Sequence, residues 1–263
     1  SAAPLSLYIH VPFCESVCYY CACNKVITRH HDRAAEYLQA LDIEIGLNRD
    51  ALGGPQPVSQ LHFGGGSPTF LSDAELAGLM ASLRSAFELL RDAEVSIEVD
   101  PRTVDAGRLA TLRHLGFNRI SFGVQDFDPA VQKAVHREQS EAMVRKLVEH
   151  ARALGFVSIN TDLIFGLPLQ TPTSFARTVE QIGALRPDRI ALYAYAHLPS
   201  RFKPQRRILS VDLPLASARV QMLQGALEGF LGQGYRYIGM DHFALPDDAL
   251  AVAQRQGKLH RNF

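Results

Sequence analysis

The sequence predicts an α/β protein, a partial, splayed (β/α) barrel of parallel strands with outer helices, read as one catalytic domain over residues 1–263. Three observations predict it. Short apolar runs alternate with segments of helical period through most of the chain, the pattern of parallel strands joined by right-handed crossovers. Polar residues recur at or near the predicted strand ends, in Gly64 to Ser67, Glu98 with Asp100, Gln125 with Asp126, Asp162 and His197, as expected where one face of a barrel gathers a site. The strand and helix pairs are too few for a closed eight-fold barrel. A doubly wound sheet, the other architecture the alternation allows, would build its site where strand order reverses.

Strands are expected from Leu5 to Val11, Gln60 to Phe63, Glu94 to Val99, Arg119 to Val124, Val157 to Ile164, Arg189 to Tyr195 and Arg236 to Met240, each a short apolar run bounded by turn residues. The clearest helix runs from Asp73 to about Leu90, with Leu76, Leu79, Met80, Leu83 and Phe87 on one face and Ser72 with Glu75 as a capping box. Further helices are expected from Arg33 to Asp50, Asp105 to Leu115, Glu141 to Leu154, Ser174 to Leu185 and Leu215 to Gly232. Pro199 to Pro214, which includes RFKPQRR, reads as an excursion between barrel elements.

With 47% hydrophobic and 21% charged residues, the chain is long enough to bury one sizeable core. Lys plus Arg equals Asp plus Glu, 27 against 27, so no global positive field recruits nucleic acid. No apolar stretch reaches the roughly 18 residues a membrane span requires. The start, SAAPLSLYIHV, lacks a charged region followed by a cleavage signal. The expected address is the cytoplasm and the expected state a monomer, with no nucleic-acid partner and no membrane insertion.

All four cysteines lie in VPFCESVCYYCACNK, as Cys14, Cys18, Cys21 and Cys23. The first three have a spacing that suits a [4Fe-4S] cluster: thiolates on one short turning loop hold three irons and leave the fourth open to a ligand. The alternatives are a structural zinc site using all four thiols, although such sites usually split their ligands into two pairs on separate loops, and a disulfide framework, rare in a cytosolic chain.

Other segments offer ligand contacts. In HFGGGSPTF the three glycines permit a sharp turn and close approach to backbone N–H groups, although the run is neither a dinucleotide fingerprint nor a P-loop. The bland reading is a tight turn. Glu98 in SIEVDP and Asp162 in INTDLIFG need partners if buried, either a ligand's hydroxyl or ammonium group or an arginine. Gln125 offers a carbonyl and an amide, and Arg137 a bidentate fork unless it lies on the surface. Tyr8 and His10 share one side of the first strand, where His10 can orient a ligand, donate a proton or form part of the wall. No HExxH or GxSxG pattern marks a catalytic zinc or a serine hydrolase.

Together CxxxCxxC, the glycine-rich strand end, Glu98, Gln125 and Asp162 resemble the radical S-adenosylmethionine enzymes. The longer runs LYIHVPFCESVCYYCACNK, LHFGGGSPTF, SIEVDPR, GFNRISFGVQDFD, VHREQ, INTDLIFGLPLQT, YAHLP and IGMDHFALPDD are similar to the oxygen-independent coproporphyrinogen III oxidase (dehydrogenase) family. That resemblance implies anaerobic oxidative decarboxylation of two propionates of coproporphyrinogen III to the vinyl groups of protoporphyrinogen IX, with a low-potential electron donor. It implies a cluster on Cys14, Cys18 and Cys21, with Cys23 unligated, and two S-adenosylmethionine molecules. Tyr8, Gly65 and Glu98 match contacts to the cluster-bound one. Tyr20, Gly66, Ser67, Gln125, Arg137, Asp162 and Ala196 match contacts to the second, and His10 and Tyr8 are the catalytic candidates. Radical methyltransferases, cyclopropanases and cluster-containing heme chaperones share the first motif and are the alternatives. Tyr20 stands where the family commonly has phenylalanine, and Ser67 where it commonly has threonine. The resemblance also implies that the chain is a fragment, without an extreme N-terminal segment and a C-terminal helical region, and that its last run, HRNF, continues in relatives.

Overall fold

Parallel pairing begins at β1 (Leu5–Val11), followed in chain order by β2 (Phe13–Cys14), β3 (Val26–Ile27), α1 (Arg33–Ala51), β4 (Pro57–Gly65), α2 (Asp73–Ala86), β5 (Glu88–Val99) and α3 (Ala106–Leu115). These belong to a computed structural model that describes residues 3–259, so the terminal HRNF lies outside the described residues. The chain divides into two units. One comprises the residues through Ser16, Cys23–Ile120 and Ala153–Val157; the other comprises Val17–Ala22, Ser121–Arg152 and the chain from Ser158.

In the first unit β4 lies between β1 and β5, parallel to both, with Tyr8 opposite His62 and His62 opposite Ser96. Period-two alternation turns Ile9, Val11, Leu61, Phe63, Val95, Ile97 and Val99 inward, where they are buried. The apolar stripe of α2, Leu76, Leu79, Met80 and Leu83, is buried as well, each such side chain contributing roughly 1.5–3 kcal/mol. Ser72 caps α2 through the expected capping box with Glu75. The helix is shorter than expected, however, and β5 longer. Phe87 leaves α2 in extended conformation, and Glu88 and Leu89 pair with Pro57 and Val58. Helical periodicity in FELL yields to a strand ladder because Phe87 remains buried either way.

The second unit contains β6 (Arg119–Gln125, from Ser121 on), α4 (Pro129–Ala134), α5 (Glu141–Ala153), β7 (Ser158–Phe165), α6 (Pro172–Leu185), β8 (Arg189–Ala194), α7 (Ala216–Gly232), β9 (Arg236–Gly239), β10 (His242–Ala244) and α8 (Ala249–Arg255). β7 and β8 are parallel, but β10 runs antiparallel to both β8 and β9. This corrects the expectation of parallel strands throughout. Only Met240 and Asp241 separate β9 from β10, too few for a crossover, and positive φ at Gly239, Met240 and Asp241 turns the chain back on itself. The short α4 and α8 had no periodic signal of their own, yet each carries an aspartate N-cap, Asp128 and Asp248.

Asp126, 1% exposed, anchors the segment after β6. Its carboxylate accepts from the Asp128 N–H at 2.6 Å, from the Thr178 hydroxyl at 2.9 Å and from the Gln170 carboxamide. Gln170 in turn accepts from the N–H groups of Gly166 and Leu167 after β7. Burial pushes the Asp126 pKa up, against the lowering effect of these hydrogen bonds. We predict that Asp126→Asn, which aims an extra donor at this network, costs about 1–3 kcal/mol in urea unfolding at pH 7. A raised folded pKa means that the parent gains stability from this group as pH falls toward the ordinary carboxylate range. The gap between parent and variant should therefore widen from pH 7 to pH 5.

Candidate cofactor site

Three glycines at the end of β4 allow four other groups to approach, and each glycine is required by a different one. A Cβ on Gly64 would lie 2.8 Å from Oε1 of Glu98, one on Gly65 2.7 Å from the His10 ring, and one on Gly66 2.7 Å from the Phe13 carbonyl and 2.8 Å from that of Pro12. Gly65 also has φ +112°, in the region that side chains avoid. The vacated space is used. Glu98 accepts from the Gly65 N–H at 3.3 Å and sits 3.1 Å from Nε2 of His62, whose Nδ1 meets Ser96 at 2.6 Å. A histidine and a backbone N–H thus face this carboxylate, in place of the expected choice between arginine and ligand alone. The Ser67 N–H donates to the Phe13 carbonyl at 2.8 Å, and its hydroxyl lies 3.2 Å from that of Thr69.

Tyr8 and His10 share a face of β1, with the Tyr8 hydroxyl 3.2 Å from Nδ1 of His10. Nε2 of His10 lies 2.8 Å from the Asn24 carbonyl. A carbonyl only accepts, so Nε2 carries the proton and Nδ1 accepts from the phenol. Burial, then the charge of Glu98, pushes the Tyr8 pKa up to about 12, which keeps it a donor. Tyr8 also stacks on His62. Cys14 ends β2, half-buried, and its carbonyl accepts from the Thr28 N–H at 2.9 Å.

In the second unit the loop bearing Cys18 and Cys21 is pinned from two segments. From the chain after α4, the Val135 carbonyl accepts from the Tyr19 N–H at 2.9 Å, the His136 ring meets the Val17 carbonyl at 2.8 Å, and Arg137 places Nη1 3.4 Å from Sγ of Cys18. Arg137 is 7% exposed and also donates to the Gly123 carbonyl, which settles the choice between an inner and a surface arginine. From the excursion, Arg207 lies over the Tyr19 ring and donates to its hydroxyl at 3.0 Å. Gln205, 1% exposed, donates through one nitrogen to the carbonyls of Tyr20 at 2.9 Å and Ala196 at 3.1 Å. Sequence reasoning missed Gln205 because a glutamine among RFKPQRR reads as surface.

Gln125 ends β6 with φ +69°, a conformation uncommon for a side chain of its size. Its Oε1 is buried without a hydrogen-bond partner. Asp162 lies within β7, three residues before its end, where it accepts from Asn160 at 2.7 Å and Ser121 at 3.0 Å. The expectation of a strand-end position for Asp162 is corrected to mid-strand.

None of the four cysteines is in a disulfide; Cys18 is buried, Cys14 and Cys21 half-buried and Cys23 exposed. Among the described residues no group of three or more His, Cys, Asp or Glu is drawn together as a metal site. The fit of an iron-sulfur cluster therefore rests on donor chemistry. Three thiols at this spacing lie on a chain segment held by backbone hydrogen bonds, including that from the Cys21 N–H to the Cys18 carbonyl at 3.2 Å, with a guanidinium facing one sulfur. Such a set suits thiolate ligation.

A fold of this kind with a three-cysteine loop defines a class. Residues 8–182 match the family model of the Radical SAM superfamily, and the chain belongs to that superfamily. Its sequence is 57% identical over 262 residues to an oxygen-independent coproporphyrinogen III oxidase of Pseudomonas aeruginosa, covering 99% of this chain and 57% of that protein. The corresponding oxidase of Escherichia coli is 52% identical over 260 residues, again covering 99% of this chain and 57% of that protein. The solved structure of the Escherichia coli coproporphyrinogen III oxidase, described as a radical SAM enzyme, superposes with a TM-score of 0.95 at 52% identity over 98% of this chain and 59% of that one. SuiB of Streptococcus suis, bound to S-adenosylmethionine, shares the fold alone, with a TM-score of 0.55 at 14% identity over 88% of this chain and 48% of its own. The chain thus spans somewhat more than half the length of these oxidases, and its fold is the open, mostly parallel partial barrel expected.

We predict opposite effects for two glycine substitutions. Gly65→Ala should lower stability, because both its φ and the His10 ring oppose a methyl group. Gly46→Ala, within α1 with nothing near a Cβ, should raise it by about 0.5–1 kcal/mol. Thermal unfolding of the two variants beside the parent checks the pair.

Proposed function

We propose that the protein takes part in the anaerobic oxidative decarboxylation of two propionates of coproporphyrinogen III, giving the vinyl groups of protoporphyrinogen IX. The observation that carries this reading is the extent of the likeness: 52% identity and a TM-score of 0.95 hold over 98% of the chain, far beyond the cysteine loop. Cys14, Cys18 and Cys21 would hold a [4Fe-4S] cluster, leaving Cys23 outside. When bound, such a cluster would supply the one-electron reduction of S-adenosylmethionine, with methionine as leaving group, and through it hydrogen abstraction at the propionate carbon β to the carboxylate; carbon dioxide and one electron, passed to an acceptor, would then leave.

The chain's own residues bind, orient and exclude water. Glu98, fixed by His62 and the Gly65 N–H, offers its carboxylate to the amino group or ribose of the cluster-bound S-adenosylmethionine, with Tyr8 and Gly65 beside it. His10 orients Tyr8 through Nδ1. For a second S-adenosylmethionine the contacts are Tyr20, Gly66, Ser67, Gln125, Arg137, Asp162 and Ala196. The buried, unpartnered Oε1 of Gln125 supports this, since such an acceptor is satisfied by a ligand donor. Coproporphyrinogen III is the substrate partner, a low-potential reductant the electron donor, and the cytoplasm the compartment, where thiols stay reduced. Among the described residues no helix is long and apolar enough to cross a membrane.

The deciding assay is anaerobic incubation with reductant, S-adenosylmethionine and coproporphyrinogen III. Mass spectrometry should find two successive losses of carbon dioxide together with methionine and 5′-deoxyadenosine; a methylated product, or heme binding without decarboxylation, would redirect the reading. Asp162→Asn should weaken S-adenosylmethionine binding by about 1–3 kcal/mol by removing charge-assisted acceptance, while the cluster's absorption spectrum is retained. Loss of the cluster with unchanged ligand binding would misplace this residue.

A further inference from the structure

The strand that opens the chain and the end of β8 carry the same five-residue pattern, tyrosine, any residue, histidine, aliphatic, proline: YIHVP at Tyr8 to Pro12 and YAHLP at Tyr195 to Pro199. The two pairs also share a geometry. Each tyrosine hydroxyl meets Nδ1 of the histidine two residues on, at 3.2 Å for Tyr8 and His10 and 2.9 Å for Tyr195 and His197. Ring centroids are 5.9 and 5.8 Å apart, with interplanar angles of 53° and 48°. They differ at the outer nitrogen. Nε2 of His10 is taken by the Asn24 carbonyl, whereas among the described residues Nε2 of His197 makes no hydrogen bond.

Burial pushes the Tyr195 pKa up to about 12, so the group is a phenol. Its hydroxyl, 2.9 Å from Nδ1 of His197, can donate to that nitrogen as the Tyr8 hydroxyl does to Nδ1 of His10. With Nδ1 accepting, Nε2 carries the ring's proton, and among the described residues it has no hydrogen-bond partner.

The surroundings say what it would meet. Ala196, next in the chain, is tied through Gln205 to Tyr20, between Cys18 and Cys21. One side chain thus holds the start of the His197 segment against the cysteine loop. The segment from His197 to Arg207 carries Arg201, Lys203, Arg206 and Arg207 with no acidic residue, in a chain whose formal net charge is zero. An N–H donor beside a basic segment selects an anionic oxygen.

We propose that His197 is a ligand-binding residue that donates from Nε2 to a ligand carboxylate, and that Tyr195 is the positioning residue that fixes its tautomer. The assignment rests on the reading of the chain as a coproporphyrinogen-processing radical enzyme, which provides two sources of that carboxylate, S-adenosylmethionine and the propionates of the tetrapyrrole.

Equilibrium binding to the anaerobically reconstituted protein tests it, each acid being paired with a form lacking the carboxylate: S-adenosylmethionine with decarboxylated S-adenosylmethionine, and coproporphyrin III with its tetramethyl ester. His197→Ala should weaken one acid by about tenfold, equivalent to about 1.4 kcal/mol, and leave its carboxyl-free partner unchanged. His197→Gln, which returns an N–H near the Nε2 position, should restore most of the loss, and Tyr195→Phe should lose an intermediate amount. Which acid is weakened names the source. Unchanged binding of both acids in His197→Ala overturns the assignment, as does equal weakening of acid and carboxyl-free forms, which marks a merely structural role. A parent that binds S-adenosylmethionine but not coproporphyrin III overturns the decarboxylation reading, while the S-adenosylmethionine arm still decides the role of His197.

Discussion

The carboxamide of Gln205 is the tie on which the arrangement of the Cys18–Cys21 loop in the second unit depends. Its single nitrogen donates to the carbonyls of Tyr20 and Ala196, and its oxygen accepts from the Leu198 N–H at 2.6 Å, all within a side chain 1% exposed. A buried carboxamide with both ends engaged is held firmly, because breaking either end leaves a desolvated polar group. It joins three stretches far apart in sequence: the cysteine loop, the turn after β8 and the excursion that contains it. Val131, Val135, Leu167, Tyr195 and Ile208, with Tyr19 and Tyr20 packed against them, supply the apolar cluster nearby. The loop is thereby held by the protein itself, through the backbone carbonyl of Tyr20.

The first unit uses the opposite device. There the end of β4 is shaped by what is missing, three side chains at Gly64, Gly65 and Gly66, which lets Glu98, His10 and the backbone at Pro12 and Phe13 approach. The parallel register of β1, β4 and β5 puts Tyr8, His62 and Ser96 in one row across the sheet, so that a hydrogen-bonded chain runs from Ser96 through His62 to Glu98 and on to the Gly65 N–H. Fixing that carboxylate before any ligand arrives reduces the ordering cost on binding.

Much of this was legible in the sequence, for reasons that particular residues make plain. β1 has the bounds expected of it, and β4 and β7 differ by a few residues, because alternation and flanking turn residues act locally. The capping box of Ser72 and Glu75 is a four-residue signal, local in sequence. The boundary between α2 and β5 was not legible, since Phe87 satisfies both periods and only pairing with Pro57 and Val58 decides between them. β10 was hidden because three residues carry no period, and its antiparallel direction follows from a tight turn at Met240 and Asp241 whose positive φ values their residue types do not announce. At the site, residue types announced Glu98, Gln125 and the cysteines, but partners such as His62 and Gln205 depend on strand register and on a long excursion, which spacing does not encode.

In the proposed function three of the four thiols would hold a cluster whose remaining iron is open to ligand. Mössbauer spectroscopy of protein reconstituted anaerobically with iron-57, recorded with and without S-adenosylmethionine, tests it most directly. The account predicts [4Fe-4S] parameters in which one iron of the four shifts when S-adenosylmethionine is added, while the other three, held by Cys14, Cys18 and Cys21, stay put. Four irons that do not respond to S-adenosylmethionine, or a protein that takes up zinc in place of iron, would contradict it.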